Sequence, residues 1–119
     1  MTITQLRTVT VFVSDQDRAR AFYADALGFA VRTDQVVGEN RWLEVAPPAG
    51  GAALVLHRPF PGASPGTSQC VILDTDDLDA DCAALLAAGV AVEGPADLPW
   101  GRQATFTDPD GNGFVLAAR

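Results

Sequence analysis

The chain has 119 residues, 48% hydrophobic and 19% charged, with a formal net charge of -7. That describes one globular domain with a sizeable core and excludes a disordered chain. The acidic balance excludes nonspecific nucleic-acid binding, which needs clustered Lys and Arg, and no apolar run approaches the roughly 18–20 residues of a membrane span.

The first thirteen residues, MTITQLRTVTVFV, lack a basic n-region and a small-residue cleavage site, so no signal peptide is expected. Residues 6–13 alternate as a strand. Val9, Val11 and Val13 face one way, and Thr8, Thr10 and Phe12 the other. Asp15 suits an N-cap. The helix then runs to about Leu27, with Ala19, Phe22, Tyr23, Ala26 and Leu27 on its apolar side, and Gly28 stops it. Short strands are expected near 29–33, 41–46 and 52–57, the last two separated by the turn PPAGG.

Residues 58–68, RPFPGASPGTS, form a Pro/Gly/Ser connector. The pattern then restarts. Residues 69–75 read as a strand, and Asp76 or Asp77 caps a helix whose apolar face is Leu78, Cys82, Leu85 and Leu86. Gly89 ends it, and strands follow near 90–93, 102–107 and 113–118. Asp15 and Asp76 lie 61 residues apart, as do Gly28 and Gly89, and Arg41 and Arg102. This predicts an α+β protein of two βαβββ modules, about 1–58 and 67–119, joined by connector 59–66 within one domain. Two cysteines, Cys70 and Cys82, make no disulfide framework and are expected as reduced thiols in a cytoplasmic protein.

The stretch FTDPDGNGFVL, residues 106–116, has the look of a calcium loop. Asp108, Asp110, Asn112 and Gly113 match the first half of an EF-hand loop, but position twelve is Arg119 where a bidentate Glu is needed. A hairpin turn fits better, with Pro109 fixing φ and Gly111 and Gly113 accepting positive φ.

Three stretches in order, VFVSDQDRARAFYADALGF, ILDTDDLDADCAALLAAGV and PWGRQATFTDPDGNGFVL, resemble the vicinal oxygen chelate superfamily, the glyoxalase / bleomycin resistance / extradiol dioxygenase group. The resemblance covers essentially the whole chain. It implies paired modules whose strands curl as a mixed sheet around a cleft, helices outside, usually in a homodimer. Catalytic members hold a divalent metal with His, Gln or Glu, one from each of four strands. Carried over by spacing, those positions fall on Thr8, Val55, Cys70 and Val115. Two of the four have no donor atom, and one sulfur with a neutral hydroxyl does not make a metal site. No metal or other cofactor is therefore expected.

Alternation assigns the cleft face to Thr8, Thr10, Phe12, Trp42, Glu44, Ala53, Val55 and His57 in the first module. In the second it assigns Cys70, Ile72, Asp74, Gln103, Thr105, Val115 and Ala117. This is an apolar, aromatic surface with a few polar groups, as small-molecule sites usually are. Trp42 can stack on a flat ring or a cation, and Glu44 and Asp74 can pair with a positive group. His57, the single histidine, is either a ligand contact or general base, or a hydrogen-bonded structural residue. Trp100 either closes the cleft mouth, meets a dimer partner, or plugs a hydrophobic gap. Arg102 either holds an anion or sits in a surface salt bridge. Cys70 reads as a small buried cleft residue before it reads as a nucleophile. The acidic run from Asp74 to Asp81 suits a helix N-terminus.

The expected function is metal-free binding of an aromatic or cationic small molecule, possible antibiotics included. The alternatives are a glyoxalase-like lyase or isomerase, metal-dependent or using His57 or Glu44 as acid/base, and a regulatory or structural module.

Overall fold

The computed structural model describes residues 1–118; Arg119, position twelve of the calcium reading, lies outside the described residues. The chain divides into two compact units, Met1–Pro65 and a second from Gly66 onward. Each is a four-stranded mixed sheet with a helical segment, so the class is α+β and the strands are shared equally between two sheets.

In the first unit β1 (Thr8–Phe12) leads to α1 (Gln16–Ala21), a π-helical turn (Phe22–Ala26), β2 (Ala30–Val37), β3 (Asn40–Ala46) and β4 (Ala53–His57). The sheet order is β1-β4-β3-β2, with β1 and β4 parallel and the other pairs antiparallel. Asp15 caps α1, its carboxylate accepting from the Arg18 amide at 3.1 Å. The expected continuous α-helix to Leu27 is interrupted for a traceable reason. The Tyr23 carbonyl accepts from the Phe29 amide at 2.9 Å, so the Leu27 amide reaches one residue further back, to the Phe22 carbonyl. Tyr23 is thereby fully buried with Phe29 against it, ring centroids 6.0 Å apart, and Gly28 turns the chain at φ +71°.

The helix-side core comprises Val11, Val13, Leu43, Val45, Leu54 and Leu56, packed with Ala19 and Tyr23. The Gln16 side-chain amide donates to the Arg41 and Leu56 carbonyls, both at 2.9 Å, and pins α1 across β3 and β4. Val9 shares that face by alternation yet stays 41% exposed, because the helix lies chiefly over β3 and β4. β2 is longer than expected. It ends in a two-residue hairpin loop, Gly38-Glu39, with Val37 opposite Asn40 and Gly38 at φ +63°.

The second unit repeats the order with β5 (Val71–Thr75), α2 (Leu78–Ala87), β6 (Glu93–Leu98), β7 (Gly101–Thr107) and β8 (Gly113–Ala118). Its sheet runs β5-β8-β7-β6, again with one parallel pair, β5 with β8. Asp77, not Asp76, is the cap, accepting from the Ala80 amide at 3.0 Å. Leu78, Cys82 and Leu85 are buried, but Leu86 points outward. Phe106 and Phe114 stack at 5.3 Å beneath α2. β6 starts three residues later than expected and runs longer.

One feature of the 61-residue repeat has a structural counterpart. Arg41 on β3 joins Asp34 of β2 through two hydrogen bonds of 2.9 Å and reaches Asp17 in the first turn of α1 at 2.6 Å. Arg102 on β7 likewise joins Asp79 in the first turn of α2 at 3.0 Å and Asp97 of β6 at 3.5 Å. Arg20 also pairs with Asp34. The Arg41 guanidinium, helped by Arg20, holds the Asp34 carboxyl at about 2, well below its ordinary value.

The 106–116 stretch is a hairpin turn between β7 and β8. Asp108 accepts from the amides of Asp110 and Asn112, both at 2.9 Å, and from the Asn112 side-chain amide at 2.8 Å. The Asn112 side-chain oxygen accepts from the Ser68 amide at 3.0 Å. Both side chains are buried, and their oxygens are taken up by amides of the turn and of Ser68. Gly111 has positive φ, as expected, but Gly113 does not. A Cβ at Gly113 would lie 2.3 Å from the Gln69 side-chain oxygen, the end of a flexible exposed side chain that can turn aside. No helix among the described residues is long and apolar enough to cross a membrane.

Candidate functional site

Successive residues of a strand point to opposite faces, and residues in register share one. In the first unit Val11, Leu43, Val45, Leu54 and Leu56 are on the helix side. The opposite, open face therefore carries two rows. One is Thr10, Val55, Glu44 and Thr33; the other is Phe12, His57, Trp42 and Gln35, with Thr8 and Ala53 below. Seven predicted site residues, Thr8, Thr10, Phe12, Trp42, Glu44, Val55 and His57, come together here.

Their side chains form an aromatic cluster. His57 lies 4.7 Å from the ring of Phe60 and 6.3 Å from Trp42, and Phe60 meets Phe12 edge-on at 5.5 Å. Val55 and His57 are buried beneath it, whereas Trp42 and Phe60 remain 37% and 52% exposed. The Trp42 indole N–H donates to Glu44 at 2.8 Å, which fixes the indole plane and places a carboxylate beside it. His57 has both ring nitrogens engaged, Nδ1 with the Arg58 carbonyl and Nε2 with the Asn40 side chain, each at 2.6 Å. A carbonyl only accepts, so Nδ1 carries a proton and the ring is fixed in orientation. Phe60 and Asn40 were missed in the sequence. Phe60 sits between two prolines in the connector and carries no periodicity, and Asn40 closes a hairpin that the strand pattern did not show.

In the second unit the open face carries Ile72, Val115, Thr105 and Glu93 in one row and Asp74, Ala117, Gln103 and Ala96 in the next. Asp74, Gln103 and Val115 thus share it, and Trp100 joins by donating to the Gln103 side-chain oxygen at 3.0 Å while staying 75% exposed. Arg102 is on the helix side in its ion pairs with Asp79 and Asp97, apart from these. Cys70 departs from its expected position. It precedes β5, with φ +60°, and is exposed rather than buried, since the chain turns before it pairs with β8. It lines an open groove of about 340 Å³ with Gln69, Glu93, Thr105 and Val115.

The residues at the four positions that the resemblance assigns to metal ligands do not fit a metal. In the first unit Val55 is fully buried and has no donor atom, leaving Thr8 with a neutral hydroxyl. In the second, Val115 has none and Cys70 is turned out of its strand. Among the described residues no group of three His, Cys, Asp or Glu side chains is arranged to hold an ion.

The family model for the Glyoxalase/Bleomycin resistance protein/Dioxygenase superfamily matches residues 5–116. The chain is 47% identical to TnmS3, an antibiotic binding protein from Streptomyces sp. CB03234, with a TM-score of 0.94 over 99% of this chain and 98% of that one. A glyoxalase/bleomycin resistance protein from the same organism is 48% identical, with a TM-score of 0.86 over 95% of this chain and 99% of that one. The uncharacterized protein YetH of Bacillus subtilis (strain 168) is 32% identical over 96% of this chain and 98% of its own length. The chain therefore belongs to the Glyoxalase/Bleomycin resistance protein/Dioxygenase superfamily.

Proposed function

We propose that this protein binds a flat aromatic small molecule, an antibiotic among the candidates, on the open face of its first unit, without a metal and without converting it. The observation that carries the reading is the Trp42–His57–Phe60–Phe12 cluster, partly exposed and braced by Glu44 and Asn40. Rings packed on a strand face and its proline-flanked connector offer stacking area at little entropic cost. The Glu44 carboxylate adds an acceptor for a hydroxyl, amine or cationic substituent. Asp74, Gln103, Val115 and Trp100 form a second open face that serves the same ligand class. The likeness to an antibiotic binding protein at 47% identity supports this reading. A homodimer accompanies it, to be checked by sedimentation velocity.

Catalysis by His57 is disfavoured by its two hydrogen bonds, which leave no free ring nitrogen to act as a base. The test is a tryptophan-fluorescence titration against a panel of planar aromatic antibiotics, with the bound compound recovered and weighed by mass spectrometry. Saturable quenching with unchanged ligand mass is expected. A mass change that requires active protein would overturn binding without turnover.

A further inference from the structure

We infer that the first unit carries an anion-recognising corner next to the aromatic cluster, so that its ligand is an aromatic compound bearing an acidic substituent, a carboxylate, sulfonate or phosphate. This deepens the function proposed above and rests on it for the aromatic half.

The corner is an open groove of about 450 Å³ lined by Gln5, Arg7, Arg32, Glu44, Gly51 and Ala53, among others. Glu44 belongs to both sites, because it also accepts from Trp42 at 2.8 Å. The groove is thus continuous with the aromatic surface.

Arg32 reaches the groove by a backbone irregularity. Val31 pairs with Val45 and Thr33 pairs with Glu44, so Arg32 is the extra residue of a β-bulge. A bulge sets two residues against one and re-aims the side chain at that point. Here it delivers a guanidinium beside Glu44. Arg7, just before β1, lines the same groove, and its carbonyl is held by the Ala53 amide at 3.2 Å. Gly50 and Gly51 follow each other at φ +104° and +92° on the adjoining loop, which keeps that wall free of side chains. Among the described residues neither arginine makes an ion pair; Arg32 reaches only the Pro47 carbonyl at 3.5 Å. Arg20, Arg41 and Arg102, by contrast, are each paired with an aspartate. Two guanidinium groups against one carboxylate leave the groove locally positive in a chain of net charge -7. A planar fork matches a carboxylate, sulfonate or phosphate through paired N–H donors.

The duplicated module supplies an internal comparison. The corresponding groove of the second unit is lined by Gln69, Cys70, Glu93 and Thr105, with no arginine or lysine. The fold therefore does not require positive charge at this place.

A matched pair of probes tests the inference: 1-anilinonaphthalene-8-sulfonate and its uncharged counterpart N-phenyl-1-naphthylamine, titrated by fluorescence at fixed ionic strength. The wild type is expected to bind the sulfonate at least about ten-fold more tightly. R7Q/R32Q is expected to remove that preference while leaving the neutral probe's affinity unchanged, and R7K/R32K to restore part of it. Equal affinities in the wild type, or a preference that survives in R7Q/R32Q, overturns the anion corner. The aromatic reading is tested separately by Trp42→Ala, which should weaken both probes alike. If neither probe binds, the aromatic reading fails, and an amide NMR titration with sodium sulfate then decides the corner by itself. Saturable shifts confined to Gly50, Gly51 and Ala53 support it, and their absence overturns it.

Discussion

At the scale of single residues, the side chains that look most chemical are spent on structure. Asp108 and Asn112 have the spacing of calcium ligands, yet each oxygen that would bind a cation accepts from an amide within the turn or from Ser68. Asp108→Ala should therefore lower stability by about 2–4 kcal/mol, through several lost charge-assisted bonds and buried orphan amides. Urea unfolding with and without added calcium checks this, and calcium should raise the stability of neither protein. His57, the single histidine, has its ring nitrogens occupied in the same way. Trp42 differs: its N–H is held but its ring face is partly open. Trp42→Ala should cost about ten-fold or more in affinity for a planar aromatic ligand while leaving the chain folded, with a melting temperature lowered by the loss of the ring's buried part. Loss of affinity without loss of folding, read by titration calorimetry and circular dichroism, is the expected pair of results.

At the scale of elements, the strand and helix pattern was legible where burial is one-sided. β1, β3, β7 and β8 alternate, which assigns their open-face residues from the pattern alone; β4 is buried along its whole length, and its face follows from register, in the row from Thr10 through Val55 to Glu44. Legibility failed where local hydrogen bonds override periodicity. The π-helical turn arises because Phe29 takes the Tyr23 carbonyl, a contact across the helix end that spacing does not reveal. The strand pattern spans residues 69–75 and includes Cys70, but pairing with β8 begins only at Val71. β2 carries exposed Val36 and Val37, which do not alternate with buried partners. Phe60 lies in a proline-flanked connector, where no periodicity marks a site residue.

The brace between elements carries its own prediction. Asp34 ionises at about 2 in the folded chain, chiefly because Arg41 hydrogen-bonds it, against an ordinary value near 3.8. A lowered carboxyl pKa stabilises the fold above its unfolded value, and this contribution is lost as pH falls through the folded value. Between about pH 4 and pH 2 the wild type should lose stability faster than Asp34→Asn. At pH 7 that variant should be weaker by about 1 kcal/mol, the scale of a partly solvated ionic bond. Chemical denaturation across that range should show the two curves converging in acid.

At the scale of the whole molecule, the sequence repeat corresponds to a repeated architecture: one parallel and two antiparallel strand pairings, one capped helix, and an arginine tying sheet to helix in each unit. The two open faces differ in chemistry. The first gathers Trp42, Phe60, Phe12 and His57 over buried Val55; the second is simpler, with Ile72 and Trp100 its exposed apolar groups. Family membership explains the scaffold, while the residues at the four positions that the resemblance assigns to metal ligands carry the proposal of metal-free binding. Buried Val55 and half-buried Val115 occupy positions at which catalysis would need oxygen or nitrogen donors.

The most direct test of that account is elemental mass spectrometry on protein purified without chelators or an affinity tag, then incubated with zinc, nickel, manganese and iron(II) and desalted. The account predicts far less than one metal ion per chain in every case. About one tightly held divalent ion per chain would contradict it, and would move the function from binding toward metal-assisted catalysis.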